Sequence, residues 1–133
     1  MRALRVWLVL AVAMVANGTL RALVLESLAG AVVAQAASVA IAIVLVLLIT
    51  RPFIRSTPLS QGQSAGIAAG WVGLTVAFEF AFGHYVAGAN WSELVANYDL
   101  LQGRLWPIVL MAIAGAPFLW RPKRHLHFAP HGA

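Results

Sequence analysis

The sequence contains no cysteine, which removes disulfides, thiolate nucleophiles and cysteine metal sites from consideration. Acidic side chains are also scarce: four Asp and Glu in 133 residues, against nine Lys and Arg. Paired carboxylates for acid–base work are absent from the apolar stretches. No serine sits in a nucleophile elbow, no glycine-rich loop leads into a phosphate-binding helix, and no zincin histidine pair occurs. An enzyme is therefore not expected, and no cofactor is implied. Charged residues of either sign make up 10% of the chain and hydrophobic ones 62%. Soluble domains carry about 25% and 45–50%.

Long apolar runs stand where those groups are missing. A hydrocarbon core of ~30 Å asks for roughly 20 apolar residues per helix. Four stretches meet or approach that length: Val6–Leu25, Leu28–Ile49, Ser64–Gly83 and Leu105–Trp120. The last is shortest and is taken to begin at Arg104. The expected fold class is all-α: a four-transmembrane-helix bundle with a short amphipathic helix in the outer loop. It forms one membrane domain over residues 1–133, with spans at about 6–25, 28–49, 64–83 and 104–120.

The net charge of +5 raises nucleic acid as a partner. Placement argues otherwise. Arg2 and Arg5 precede the first span, Arg51 and Arg55 follow the second, and Arg121, Lys123 and Arg124 follow the fourth. Glu26, Glu93 and Asp99 lie in the other two connections. This is the positive-inside pattern with both termini cytoplasmic. The implied partner is a lipid bilayer, not nucleic acid. Arg2, Arg5, the apolar run and the small residues near Ala16 also resemble a secretory signal peptide. The apolar run continues past Ala16, however, and cleavage would leave three spans with a rewired topology.

The connection from Arg51 to Gln63 holds two prolines and two arginines and reads as a cytoplasmic loop, with Arg51-Pro52 ending the second span. His84 to Gly103 is the longest loop. Within it Asn90 and Glu93 have capping-box spacing, and Trp91, Leu94, Val95, Tyr98 and Leu101 recur at helical spacing. Residues 91–102 therefore read as an amphipathic surface helix, with an ordinary packed loop as the alternative. The tail, 121–133, is basic and expected to be disordered. Its His125, His127 and His131 are not a preorganised metal site, and no metal is expected. His84 reads as an interfacial polar residue. Trp7, Trp71, Trp91, Trp106 and Trp120 all lie near span ends, as an aromatic belt would place them.

The polar residues inside the spans carry the most information. Counted from the outer helix ends, Arg21 lies four residues below Leu25 and Glu79 four below Gly83, both about 6 Å inside the boundary. Equal depth and opposite charge suggest a pair, with Arg104 as a second partner for Glu79. Asn17, Thr75 and Gln35 lie one to two turns deeper and are expected to form a hydrogen-bonded layer below. A charge at a helix centre costs about 2.5–3.5 kcal/mol, so such residues turn inward and find partners. The cluster Asn17, Arg21, Gln35, Thr75, Glu79 and Arg104 is then either a proton, ion or ligand site or a structural tie that fixes helix register. On the third span Gly62, Gly66, Gly70 and Gly73 fall on the face opposite Glu79. Small residues at such spacing let helix backbones approach closely. They serve either packing within the chain or contact with a second copy or another membrane protein.

Three segments together carry a family resemblance. These are Ala16-Asn17-Gly18-Thr19-Leu20-Arg21, Thr75 to Phe80 with Gly83, and Trp91-Ser92 with Tyr98-Asp99-Leu100 and Gly103-Arg104. They resemble a group of small bacterial four-helix membrane proteins of unknown function. The resemblance implies a bacterial inner membrane and supports four spans. It singles out Asn17, Arg21, Glu79, Asp99 and Arg104, and it implies no activity. The expected function is a non-enzymatic accessory or scaffold subunit. The runner-up is a small oligomeric transporter or channel with Glu79 as its ionisable centre. Small multidrug exporters are of similar size, but their membrane glutamate lies in the first helix, not the third.

Overall fold

The computed structural model describes residues 1–96, 98–99 and 105–121. Every regular element among them is helical. Helix α1 (Arg2–Leu20) passes through a π-helical turn (Arg21–Leu25) into α2 (Glu26–Ala29). The three form one rod of 28 residues. At 1.5 Å per residue it measures about 42 Å. Gly30, at φ +82°, ends it. Only glycine takes that conformation without a steric cost, so the chain reverses there directly into α3 (Ala31–Ser56).

Helix α3 does not end at Arg51-Pro52 as expected; it runs one turn further. Pro52 faces outward, and the added turn is anchored by Ile54, fully buried, and by Phe53, whose ring lies 6.1 Å from that of Trp71. The connection shrinks accordingly to residues 57–60. Helix α4 (Gln61–Tyr85) begins three residues before the expected Ser64. A capping box sets the start: Gln63 N–H donates to Ser60 Oγ (3.1 Å), and Ser60 N–H donates to Gln63 Oε1 (2.9 Å). Helix α5 (Trp91–Ala96) is shorter than the expected 91–102. Its first turn shows half of the expected box, Asn90 N–H donating to Glu93 Oε2 at 3.1 Å. Asn97 and residues 100–102 lie outside the described residues, as does the basic tail from 122 on. Helix α6 (Trp106–Leu119) carries Pro107 in its first turn, where no intrahelical partner is lost.

Three helices, Arg2–Ala29, Ala31–Ser56 and Gln61–Tyr85, are long and apolar enough to cross a membrane. Helix α6 is apolar but has 14 residues, about 21 Å. The helices pack in the order α1, α3, α6, α4, and α1 and α4 meet only briefly. Helix α3 is central. Its buried residues, Ala34, Ser38, Ala42, Val46, Thr50 and Ile54, recur every four positions and form one stripe. Ala42, Val46 and Ile54 on that stripe join Leu10, Trp71, Val109, Ile113 and Ala116 in the core. The outward faces are apolar as well: Leu8, Val12, Leu23, Val32, Leu48 and Met111 are all exposed.

Candidate functional site

Two polar clusters bridge the helices, and the first fixes the geometry of the second. The Trp7 indole N–H donates to Thr75 Oγ1 (3.1 Å), and the Thr75 hydroxyl donates to the Trp71 carbonyl (2.7 Å). The Trp71 indole N–H donates to the Ala3 carbonyl at 3.0 Å. Both α1–α4 links join residues 68 apart in sequence, so the two helices run in one fixed register. Thr75 therefore belongs to this tryptophan tie and not to the polar layer expected below Glu79.

The same register corrects the expected ion pair. Extended along the helices, it sets Glu79 level with residue 11 of α1, and Arg21 lies about 15 Å further on. Arg21 pairs instead with Glu26, Nη1 to Oε1 at 3.3 Å. The π turn makes that contact. Its hydrogen bond runs from Glu26 N–H to the Arg21 carbonyl, which stacks side chains five residues apart along one face.

Beyond the tryptophan tie the helices part around a cavity of about 220 Å³. Asn17 and Arg21 from α1 and the π turn, Gln35 and Ser38 from α3, and Glu79 and Phe80 from α4 line it. Leu94 of α5, Tyr98 and Trp106 of α6 complete the wall. Asn17, Arg21, Gln35 and Glu79 thus share one chamber, while Arg104 lies outside the described residues.

The chamber is polar and incompletely satisfied. Asn17 is 7% exposed. Its Nδ2 donates to the Ser38 carbonyl at 2.9 Å, but its Oδ1 has no partner among the described residues. Tyr98 Oη and Trp106 Nε1, also buried, face each other closely enough for the indole N–H to act on the phenol oxygen, though short of good hydrogen-bond geometry. Most buried polar atoms in folded proteins are paired, so the open Asn17 Oδ1 on this wall calls for an explanation. Burial pushes the Tyr98 phenol above its usual pKa range; the Trp106 side chain opposes this, and the charge of Glu79 adds to it. Glu79 makes no ion pair or hydrogen bond among the described residues. Thr57 Oγ1, Ser64 Oγ and Trp120 Nε1 are also unpaired, but they do not line this cavity.

The α4–α5 corner closes one side. His84 stacks on Trp91 with ring centroids 4.0 Å apart, and its Nδ1 lies 2.9 Å from the Ala89 carbonyl oxygen. Phe80 stacks on both Trp91 and Tyr98. Leu94 lies directly over Gly83, where a Cβ atom would collide with it. His84 is therefore a packing residue of this corner. Among the described residues no group of His, Cys, Asp or Glu could hold a metal ion. His125, His127 and His131 lie outside the described residues.

Gly62, Gly66, Gly70 and Gly73 face outward, and a Cβ added at any of them would meet nothing within 4 Å. Among the described residues that face packs against no other helix. Gly66 and Gly70 instead line an open, mostly apolar groove with Ala3, Leu4 and Leu74. On α3, Arg51 and Arg55 lie over the Trp120 ring, 5.3 and 5.7 Å from its centroid.

No protein-family model matches the chain, and neither does any curated protein or solved structure. Sequence reasoning did not include Ser38, Phe80, Tyr98 or Trp106 in the site. Ser38 had a signal in the α3 stripe, three residues after Gln35. The aromatic wall had none, because Tyr98 and Trp106 share no helix with Glu79 and no spacing in the sequence links them to it.

Proposed function

We propose that this chain is a multi-pass membrane protein that admits a small solute into the polar cavity, in the manner of a small transporter or channel. The observation that carries this reading is Glu79, without a partner among the described residues, in a chamber whose wall also leaves Asn17 Oδ1 unpaired. A structural tie would use those groups, as the tryptophan tie does. A site for a solute leaves them open.

The membrane setting rests on three long apolar helices and on their exposed apolar faces, which water would not tolerate as continuous patches. Helix α6, short but apolar throughout, is the fourth span in this reading. Helix α5 lies on the outer side with the mouth of the cavity. The basic residues Arg2, Arg5, Arg51, Arg55 and Arg121 mark the cytoplasmic side, which holds both termini. A bacterial inner membrane follows from the family resemblance.

The cysteine-free chain permits a clean test. Gly18 lines the cavity and has room for a side chain. Gly18→Cys should react from the outer side with a water-soluble methanethiosulfonate reagent, whereas Val12→Cys, on the outward apolar face, should not. A folded but unreactive Gly18→Cys would mean a dry cavity and would end this reading.

A second reading, an accessory or scaffold subunit, is favoured by the outward Gly62, Gly66, Gly70 and Gly73 face and its groove. Gly66→Ile should then shift the mass of the detergent-solubilised complex measured by native mass spectrometry. An unchanged mass, with no partner in either protein, would remove that reading.

A further inference from the structure

Resting on the solute-binding reading, we propose that the cavity selects a small ammonium-type cation, held by the Glu79 carboxylate and the Asn17 side-chain oxygen against an aromatic wall. Charge is the first argument. Among the described residues that line the cavity, Arg21 is the one cation, and its charge is matched by Glu26 at 3.3 Å. The carboxylate of Glu79 has no such match among the described residues, so their balance in the chamber is negative.

Hydrogen-bond capacity is the second. Asn17 is more than nine-tenths buried, its amide nitrogen is committed to the Ser38 carbonyl, and its Oδ1 is left as an acceptor. An ammonium group is a pure donor, and Glu79 and Asn17 together offer it acceptors. The third argument is the wall itself. Phe80, Tyr98 and Trp106 line the cavity, and aromatic faces attract cations through their quadrupole. An anion would find donors at Trp106 Nε1 and the Tyr98 hydroxyl, but beside the carboxylate of Glu79, which repels it.

The test uses the full chain carrying Gly18→Cys, reconstituted in lipid nanodiscs, and reads the rate of methanethiosulfonate modification. Methylammonium and tetramethylammonium are the cation probes, methanesulfonate the anion and acetamide the neutral control. The proposal expects at least tenfold slowing by a saturating cation and no slowing by methanesulfonate or acetamide. Adding Glu79→Gln should raise the half-protecting cation concentration at least tenfold, while Glu79→Asp should retain the preference for cations. An unchanged unfolding midpoint in a denaturing-detergent titration establishes that the Gln variant is folded. Protection by methanesulfonate, equal protection with and without Glu79, or no protection by any probe would overturn the cation assignment while the cavity remained wet. An unreactive Gly18→Cys would overturn the solute-binding reading beneath it.

Discussion

The tryptophan tie and the cavity wall draw on similar residues and reach opposite results. In the tie, Trp7, Thr75 and Trp71 use every side-chain donor, and the chain of bonds ends on the Ala3 carbonyl. In the wall, the buried Asn17 Oδ1 has no partner among the described residues, Tyr98 and Trp106 meet each other only loosely, and Glu79 stands among them. A polar residue in an apolar helix is therefore no sign of a site by itself. What separates the two clusters is whether the group's bonding capacity is exhausted within the chain. The tie fixes the α1–α4 register, and that register leaves Glu79 far from Arg21.

Four substitutions set the two clusters against each other. The largest effect is expected from Trp71→Ala, which empties a buried position and cuts the bond to Ala3. Large-to-small core changes of this kind cost about 3–5 kcal/mol, read as a lower unfolding midpoint in a denaturing-detergent titration. Gly83→Val should come next, because its side chain drives into Leu94. Overpacking costs typically ~1–3 kcal/mol. The α4–α5 corner should loosen, with faster proteolysis near Ala89 and no change in the tie.

Asn17→Leu should cost only about 1 kcal/mol, in line with measured hydrogen bonds between membrane helices, because half of its amide is already unused. A loss as large as that of Trp71→Ala would show that the wall is a structural tie after all. Arg21→Gln should matter least. Its pair with Glu26 is well exposed, and such pairs contribute about 0–1 kcal/mol.

Much of this was legible in the sequence, for reasons that can be named. Apolar run length located the three long helices, because the pattern is carried by composition over some twenty residues. The cluster of Asn17, Arg21, Gln35 and Glu79 in one cavity was legible because polar residues are rare enough in such helices to be counted by depth. Their pairing was not. Depth was measured from the ends of the apolar runs, but α1 continues through the π turn to Ala29, and the register of α1 on α4 is set by two indoles elsewhere. A π turn has no apolar signature, so the Arg21–Glu26 contact was hidden as well. The start of α4 was placed three residues late, although the capping-box spacing of Ser60 and Gln63 marks it. The extra turn of α3 beyond Pro52 was not, because burial of Ile54 by distant residues decides it.

The most direct test compares the indole N–H groups of the two clusters in one sample. Selective ¹⁵N-tryptophan labelling in lipid nanodiscs resolves Trp7, Trp71 and Trp106, and water-exchange spectra report which of them meets solvent. The account predicts a water cross-peak at Trp106 and none at Trp7 or Trp71. Equal protection of all three would contradict it, since the cavity would then be as closed as the tie.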